Sequence, residues 1–292
     1  MYIIDIQFNI KFALCVLYFS MERSDMVRIA VTGAAGRMGK SIINVIKDTA
    51  GAELAGAVER YDHPNIGKDE GEILGCGKLG VKITENFEKV IKKADCVIDF
   101  TLPEATMHYL DIALENDVAM VIGTTGFSHQ QRERLKEVGS KMKIVAAPNM
   151  SVGVNLLLKV VSDIAKVLDS SYDVEIVEAH HRLKKDAPSG TAMRFAEVLA
   201  YSLNRNLEKV AVYERHGIIG ERKSEEIGIQ TIRAGDIVGD HTIIFGGLGE
   251  RIEITHRAQS RETFARGAVR AAMWLVKQPK GLYDMQDVLG LK

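Results

Sequence analysis

A short β-branched run, Val27-Arg28-Ile29-Ala30-Val31, passes without a linker into the glycine turn Thr32-Gly33-Ala34-Ala35-Gly36-Arg37-Met38-Gly39. Ile42, Ile43, Val45 and Ile46 then recur at helical spacing. A strand that turns this tightly into a helix begins a crossover, and crossovers connect parallel strands. A further strand is expected over 53–58, and buried-type runs follow at Cys96-Val97-Ile98-Asp99-Phe100, Ala119-Met120-Val121-Ile122 and Lys143-Ile144-Val145-Ala146-Ala147. Helical stretches at 103–116 and 129–142 separate the last three. This alternation predicts an α/β fold with a Rossmann-type doubly wound parallel sheet.

The rhythm changes after Asn149. Residues 155–168 read as one long helix, with Leu156, Leu157, Val160, Val161, Ile164 and Val167 on a shared face. Strand-like runs at 172–178, 227–234, 241–245 and 251–258 follow, several of them alternating as Glu253-Ile254-Thr255 does, which suits a sheet with unequally covered faces. A last helix is expected over 263–276. The expected organisation is a dinucleotide-binding domain at 27–150 completed by 261–292, with a second α+β domain at 151–260 carrying an open mixed sheet. Residues 1–26 are apolar but broken by Asp5, Gln7, Asn9 and Lys11. They lack a clear secretory pattern and are short for a membrane span. We expect an extension outside the catalytic fold, with Met21 or Met26 as alternative initiators.

Composition narrows the partners. Lys+Arg 38 against Asp+Glu 39 leaves no strongly basic surface for nonspecific nucleic-acid binding. Cys15, Cys76 and Cys96 lie far apart with no CxxC, which fits free thiols in a reducing, cytoplasmic compartment and gives no metal-ligand spacing.

The turn departs from strict G-x-G-x-x-G because Ala35 replaces the second glycine. Gly33, Gly36 and Gly39 still permit a tight turn at a helix N-terminus, where backbone N–H groups and the helix dipole favour a pyrophosphate. Glycines kept for packing alone would look similar. Context favours the cofactor: a strand precedes, a helix follows, and Glu59 ends the next strand, where a carboxylate accepts from ribose hydroxyls. Arg37 and Arg60 could hold a 2′-phosphate bidentately, so NADH and NADPH are both expected; a solvated strand-end charge is the plainer reading of Arg60. The loops Gly123-Thr124-Thr125-Gly126-Phe127 and Ala147-Pro148-Asn149-Met150 end two strands on the edge where open α/β sheets bind ligands. Ordinary turn chemistry also accounts for these residue types.

His180-His181-Arg182-Leu183-Lys184-Lys185 is a dense set of proton donors after an apolar strand, and Pro188-Ser189-Gly190-Thr191 then enters a helix. That turn can present N–H and hydroxyl groups to a carboxylate. A basic solvated strand end is the plain alternative, and a metal fragment lacks matching ligands.

From Glu178-Ala179-His180-His181-Arg182 through Asp186-Ala187-Pro188-Ser189-Gly190-Thr191-Ala192, the chain resembles the dihydrodipicolinate reductase (4-hydroxy-tetrahydrodipicolinate reductase) family. The glycine turn, Asp99-Phe100-Thr101, Val121 to Phe127, Ser151-Val152-Gly153-Val154-Asn155, Arg233-Ala234-Gly235-Asp236-Ile237-Val238-Gly239 and Glu253-Ile254-Thr255-His256 are similar to it in the same order. The resemblance implies a homotetramer assembled through the second domain's sheets, and reduction of 4-hydroxy-tetrahydrodipicolinate. By position it implies His180 as the acid/base residue and Lys184 as the second proton donor. His181, Ser189, Gly190 and Thr191 would hold a substrate carboxylate. Gly33, Ala34, Ala35, Gly36, Arg37, Met38, Glu59, Arg60, Gly123, Thr124, Thr125, Ala147, Pro148, Asn149 and Met150 would line the cofactor. Leu183 and Pro148 depart from the family pattern without removing a chemical group. Two rivals remain at this stage: a two-domain dehydrogenase of an amino-acid semialdehyde, and a nicotinamide sensor without chemistry.

Overall fold

The computed structural model describes residues 26–292; the expected N-terminal extension otherwise lies outside the described residues. In chain order the first elements are β1 (Val27–Thr32), α1 (Arg37–Lys47), β2 (Ala52–Val58), α2 (Glu70–Leu74), β3 (Ile83–Thr84) and α3 (Phe87–Ile91). Then come β4 (Cys96–Asp99), α4 (Pro103–Glu115), β5 (Ala119–Ile122), α5 (His129–Gly139), β6 (Lys143–Ala146) and α6 (Val152–Leu168). The second half holds β7 (Asp173–His180), α7 (Gly190–Ser202), α8 (Leu207–Val210), β8 (Ala211–Val212), β9 (Ile227–Arg233), β10 (Gly239–Gly246) and β11 (Arg251–Ala258). The chain closes with α9 (Glu262–Leu275), β12 (Gly281–Tyr283) and α10 (Met285–Val288).

The first sheet has seven strands in the order β12-β6-β5-β4-β1-β2-β3, all parallel. Its central strands are apolar on both sides because both faces are covered. Cys96 and Ile98 of β4 pack with Ile42, Ile46, Ala268 and Ala272 of α1 and α9. Val97, between them, packs with Val90, Leu110 and Val138 of α3, α4 and α5. Period-two alternation thus feeds two cores from one strand. The order reverses around β1 and β4, which is where such a sheet opens a crevice beyond its strand ends.

The second sheet runs β11-β10-β7-β9-β8 and is mixed: β10 is antiparallel to β7 and β11, whereas β7, β9 and β8 are parallel. Val174, Ile176, Ile227, Ile229, Ile243 and Phe245 face α6 and α7 and are buried. The opposite face carries Val177, Ile232 and Ile244 among polar residues and has no covering layer among the described residues; Ile232 is 48% exposed. The last helix and strand return to the first sheet, α9 lying against α1 and β12 pairing with β6. One boundary matters for chemistry. The strand expected over 172–178 extends to His180, so His180 is the last residue of β7 rather than part of the loop after it.

Candidate active site

Three carboxyl strand ends of the first sheet meet at one buried carboxylate. Asp99, fully buried at the end of β4, lies within hydrogen-bond reach of four hydroxyls: Thr32 and Thr106 at 2.5 Å, Thr101 at 2.7 Å and Thr124 at 2.9 Å. Thr32 ends β1 and Thr124 follows β5, so the carboxylate ties together the floor beneath the glycine turn and the 123–125 loop. The Thr124 hydroxyl is therefore engaged below the surface, and only its backbone can reach a cofactor. Ala34, Ala147 and Met150 are likewise buried in the core and can face a cofactor only through the main chain. Thr125, Pro148, Arg37 and Arg60 are exposed.

The glycine turn fits a dinucleotide. Gly33 takes φ +62, a left-handed conformation, and its carbonyl accepts from Gly36 N at 3.0 Å. A Cβ on Gly39 would lie 2.3 Å from the Gly33 oxygen, so α1 packs into the turn itself. Helix α1 starts at Gly36 without a side-chain cap, which leaves its first-turn N–H groups without intrahelical acceptors. Glu59 accepts from Ala35 N at 3.1 Å and from Arg60 N at 3.1 Å, placing its carboxylate at the lip of the turn. Arg60 itself pairs with Asp62 at 3.2 Å.

Glu70 stands beside this turn and was not legible as special in the sequence. It begins α2, is fully buried, and neither carboxyl oxygen has a partner among the described residues. Burial pushes its pKa up to about 7, against the attraction of Lys40. The folded state therefore holds the proton more tightly than the unfolded chain does. Stability is greatest below the ordinary carboxyl value near 4.5, falls as pH climbs through about 7, and levels off above that. Glu70→Gln, which mimics the neutral acid, should raise unfolding free energy at pH 8 by about 2–3 kcal/mol. The gain should shrink on going to pH 5.5, as read by urea denaturation at the two values.

In the second sheet the His180–Thr191 segment is organised around Glu178. This fully buried carboxylate lies 2.6 Å from His180 Nδ1 and takes both Arg233 terminal nitrogens at 2.8 Å. It also accepts the Ser189 N–H at 3.0 Å and the Thr231 hydroxyl at 3.2 Å. Burial alone would raise its pKa, but His180, Arg233 and the Ser189 N–H outweigh that and hold it at about 2. Glu178 and His180 share a face because they are two apart in a strand. Thr231 and Arg233 sit opposite them in register on β9, and His241 sits opposite Glu178 on β10.

His241 is buried, and burial followed by the nearby His180 lowers its pKa to about 3, so it stays neutral. Its Nε2 meets the Ser189 hydroxyl at 3.1 Å, and its ring meets that of His180 edge-on at 5.2 Å between centroids. Ser189 caps α7 by accepting from Ala192 N at 3.1 Å. With that N–H satisfied and the Ser189 N–H given to Glu178, Gly190 and Thr191 keep the free first-turn donors of a 13-residue helix. A Cβ on Gly190 would meet nothing within 4 Å, so this turn opens outward. The His181 ring is half-buried, with Nδ1 unpaired among the described residues. Lys184 pairs with Asp186 at 2.9 Å.

The two halves meet where Asn149 spans them. Its amide donates to the Thr191 hydroxyl at 3.0 Å and its side-chain oxygen accepts from Ser151 N at 2.8 Å. A cleft of about 1120 Å³ opens there, lined by Ala147, Pro148 and Asn149 from one side and Gly190 and Thr191 from the other. It joins the 147–149 loop to the Gly190–Thr191 turn; His180, Lys184 and the glycine turn do not line it. A separate hollow of about 490 Å³ carries Glu59 and Arg60. Among the described residues no cluster of metal-ligating side chains occurs, and no helix is long and apolar enough to cross a membrane.

A doubly wound sheet with an uncapped glycine-turn helix and an acid at the second strand's end, joined to a mixed sheet carrying histidines and an outward-opening helix start, is the architecture of a two-domain dinucleotide-dependent reductase. Family models for dihydrodipicolinate reductase match residues 27–150 with the N-terminal part and 153–289 with the C-terminal part. The chain belongs to the dihydrodipicolinate reductase family. It is 55% identical over 267 residues to the 4-hydroxy-tetrahydrodipicolinate reductase of Syntrophobacter fumaroxidans, covering 91% of this chain and 100% of that one. The reductase of Hahella chejuensis is also 55% identical over the same shares. Among solved structures, the dipicolinate-bound dihydrodipicolinate reductase of Paenisporosarcina sp. TG-14 aligns with a TM-score of 0.69 and 26% identity, covering 90% of this chain and 98% of that one. A probable dehydrogenase of Thermotoga maritima, at 14% identity and a TM-score of 0.58, shares the fold alone.

Proposed function

We propose that this chain reduces 4-hydroxy-2,3,4,5-tetrahydrodipicolinate to 2,3,4,5-tetrahydrodipicolinate with NADH or NADPH, a step of diaminopimelate and lysine biosynthesis. The observation that carries this reading is the open Gly190–Thr191 turn tied through Glu178 to His180, in a chain at least half identical to such reductases along their whole length. The dipicolinate held by the Paenisporosarcina enzyme is a planar ring dicarboxylate, the shape that a turn presenting two N–H groups would grip.

Residues 27–150 with 261–292 form the dinucleotide-binding unit, and 151–260 the substrate-binding and oligomerisation unit. Gly33 to Met38, Glu59, Arg60, the backbone of 123–125 and the 147–150 loop hold the dinucleotide. When bound there, NADH or NADPH supplies the hydride. Ser189, Gly190, Thr191 and His181 hold a substrate carboxylate. The net change replaces the C4 hydroxyl by hydrogen, with the hydroxyl leaving as water. As negative charge builds toward the ring nitrogen and C3, the Lys184 ammonium stabilises it. His180 transfers a proton, a role that an imidazole with one nitrogen held by a carboxylate suits. Exposed Ile232 and half-buried Val177 and Ile244, on the face of the second sheet turned away from α6 and α7, support a homotetramer through it. Free Cys76 and Cys96 suit a cytoplasmic setting, and the near-zero net charge suits a protein without nucleic-acid partners.

The test is NAD(P)H oxidation when the chain is coupled to dihydrodipicolinate synthase with pyruvate and aspartate semialdehyde. Consumption is expected. Consumption only with another semialdehyde would favour a dehydrogenase instead, and none on any substrate would favour a sensor. Dual cofactor use is checked in the same assay. Because Glu59 repels a 2′-phosphate while Arg37 and Arg60 attract it, kcat/KM for the two cofactors should differ by less than about a thousandfold, or about 4 kcal/mol. A larger preference refutes dual use.

A further inference from the structure

We propose that Glu178 is a positioning residue: its carboxylate fixes the tautomer and charge of His180 and locks that ring to the carboxylate-binding turn at Ser189. The inference deepens the proposed function and rests on its assignment of His180 as the proton-handling residue.

The geometry leaves few alternatives for this carboxylate. It is wholly removed from solvent and surrounded by donors: His180, Arg233, Ser189 N–H and Thr231. An ionised carboxylate is acceptor-only, so the atom of His180 that faces it at 2.6 Å must carry hydrogen. That fixes Nδ1 as the donor and frees Nε2 as the atom that takes up and releases the proton. The Nε2 edge has room only because residue 239 is glycine; a Cβ there would lie 3.0 Å from it. The other neighbours do not compete for the assignment. His241 faces the ring edge-on and stays neutral, while Arg233 is held by both Glu178 oxygens and the Asp186 carbonyl. Lys184 is paired with Asp186. Glu178 is thus the negative charge in direct contact with His180, and it offsets the positive Arg233 set opposite His180 in register.

The same carboxylate reaches the substrate turn. Its bond from Ser189 N–H fixes the first residue of the turn whose next two N–H groups point outward. Proton donor and carboxylate grip therefore share one rigid reference, as a site needing sub-ångström placement requires. A buried acid with five donor contacts could also serve the fold alone, and the test must separate the two.

Glu178→Gln keeps the shape and removes the charge. It should lower kcat by about tenfold to a hundredfold, move the His180-dependent limb of the kcat–pH profile to lower pH, and leave NADH affinity unchanged. Glu178→Asp, which restores the charge, should return that limb toward the wild-type position. Pairing Glu178→Gln with His180→Gln closes a double-mutant cycle. If Glu178 acts through His180, Glu178→Gln costs little once His180→Gln is present. Full additivity with an unmoved pH limb would reduce Glu178 to a structural role and overturn the proposal. His180→Gln with wild-type kcat would instead remove the parent assignment, and this inference with it. Should Glu178→Gln not fold, ¹⁵N-histidine spectra of the wild-type protein decide: a neutral His180 protonated at Nδ1 is expected, and protonation at Nε2 overturns the assignment.

Discussion

His180→Gln is expected to lower kcat by about a hundredfold or more while NADH binding survives, and Lys184→Ala should do the same. The side chain of His180 is 10% exposed and anchored on one nitrogen, so glutamine can fill its space without disturbing β7. What glutamine cannot do is take up and release a proton, since an amide has no basic nitrogen. Lys184 differs: its ammonium is partly exposed and held by Asp186 at 2.9 Å, so removing it unburies nothing. Its loss should appear where charge develops, in kcat and kcat/KM together rather than in KM alone. Neither residue lies in the glycine turn or the 123–125 loop, so fluorescence titration with NADH should give dissociation constants close to wild type. Steady-state rates in the coupled assay check the other half. An unchanged kcat in both variants would defeat the assigned roles.

The parts of this site legible in the sequence are those written in local periodicity. Five of the parallel strands could be read from apolar runs, because strands covered on both faces show no polar interruption. The short β3, β8 and β12 could not; two or three residues carry no period. The helix after Ser189 begins at Gly190, so two residues read as turn belong to its first turn. Motif order placed His180, Lys184 and Ser189 together, and the structure holds His180 and Ser189 on one carboxylate. The missing knowledge is long-range. Glu178 was visible as the first residue of its motif, but its bonds to Arg233 and Thr231 span 55 and 53 residues. His241 sits within hydrogen-bond reach of Ser189 through the β7–β10 register, which no local pattern encodes. Asp99 was legible as a strand end within a run similar to the family, but without a partner. Its four hydroxyl partners come from three strand ends and a helix, and only the assembled sheet brings them together. Thr124 was legible only as a hydroxyl residue in a strand-end loop; that its hydroxyl turns inward to Asp99 and leaves the backbone outermost is set by the assembled sheet.

Gly39→Ala should abolish useful cofactor binding, and a second glycine substitution shows why the effect is specific. A Cβ at residue 39 would stand 2.3 Å from the Gly33 oxygen, 2.6 Å from the Ala34 oxygen and 2.7 Å from the Ala34 Cα. All three are backbone atoms of the turn, so no side chain can swing aside, and α1 must move off the sheet or the turn must open. Either change misaligns the first-turn N–H groups from the pyrophosphate. Charge-assisted bonds of this kind contribute about 1.5–3 kcal/mol each, so losing two weakens NADH by at least about a hundredfold. Overpacking also costs stability, of order 1–3 kcal/mol. Gly190→Ala offers the contrast, since a Cβ there meets nothing within 4 Å and alanine suits a helix start as well as glycine does. That protein should fold and bind NADH normally, but the added methyl projects beside the free N–H groups of the turn. Its defect should therefore be a raised KM for the dicarboxylate substrate. Calorimetric titration with NADH, thermal melting and substrate kinetics on both variants separate the cases. Equal NADH affinities for Gly39→Ala and Gly190→Ala would mean that the glycine turn is packing and not a phosphate cradle.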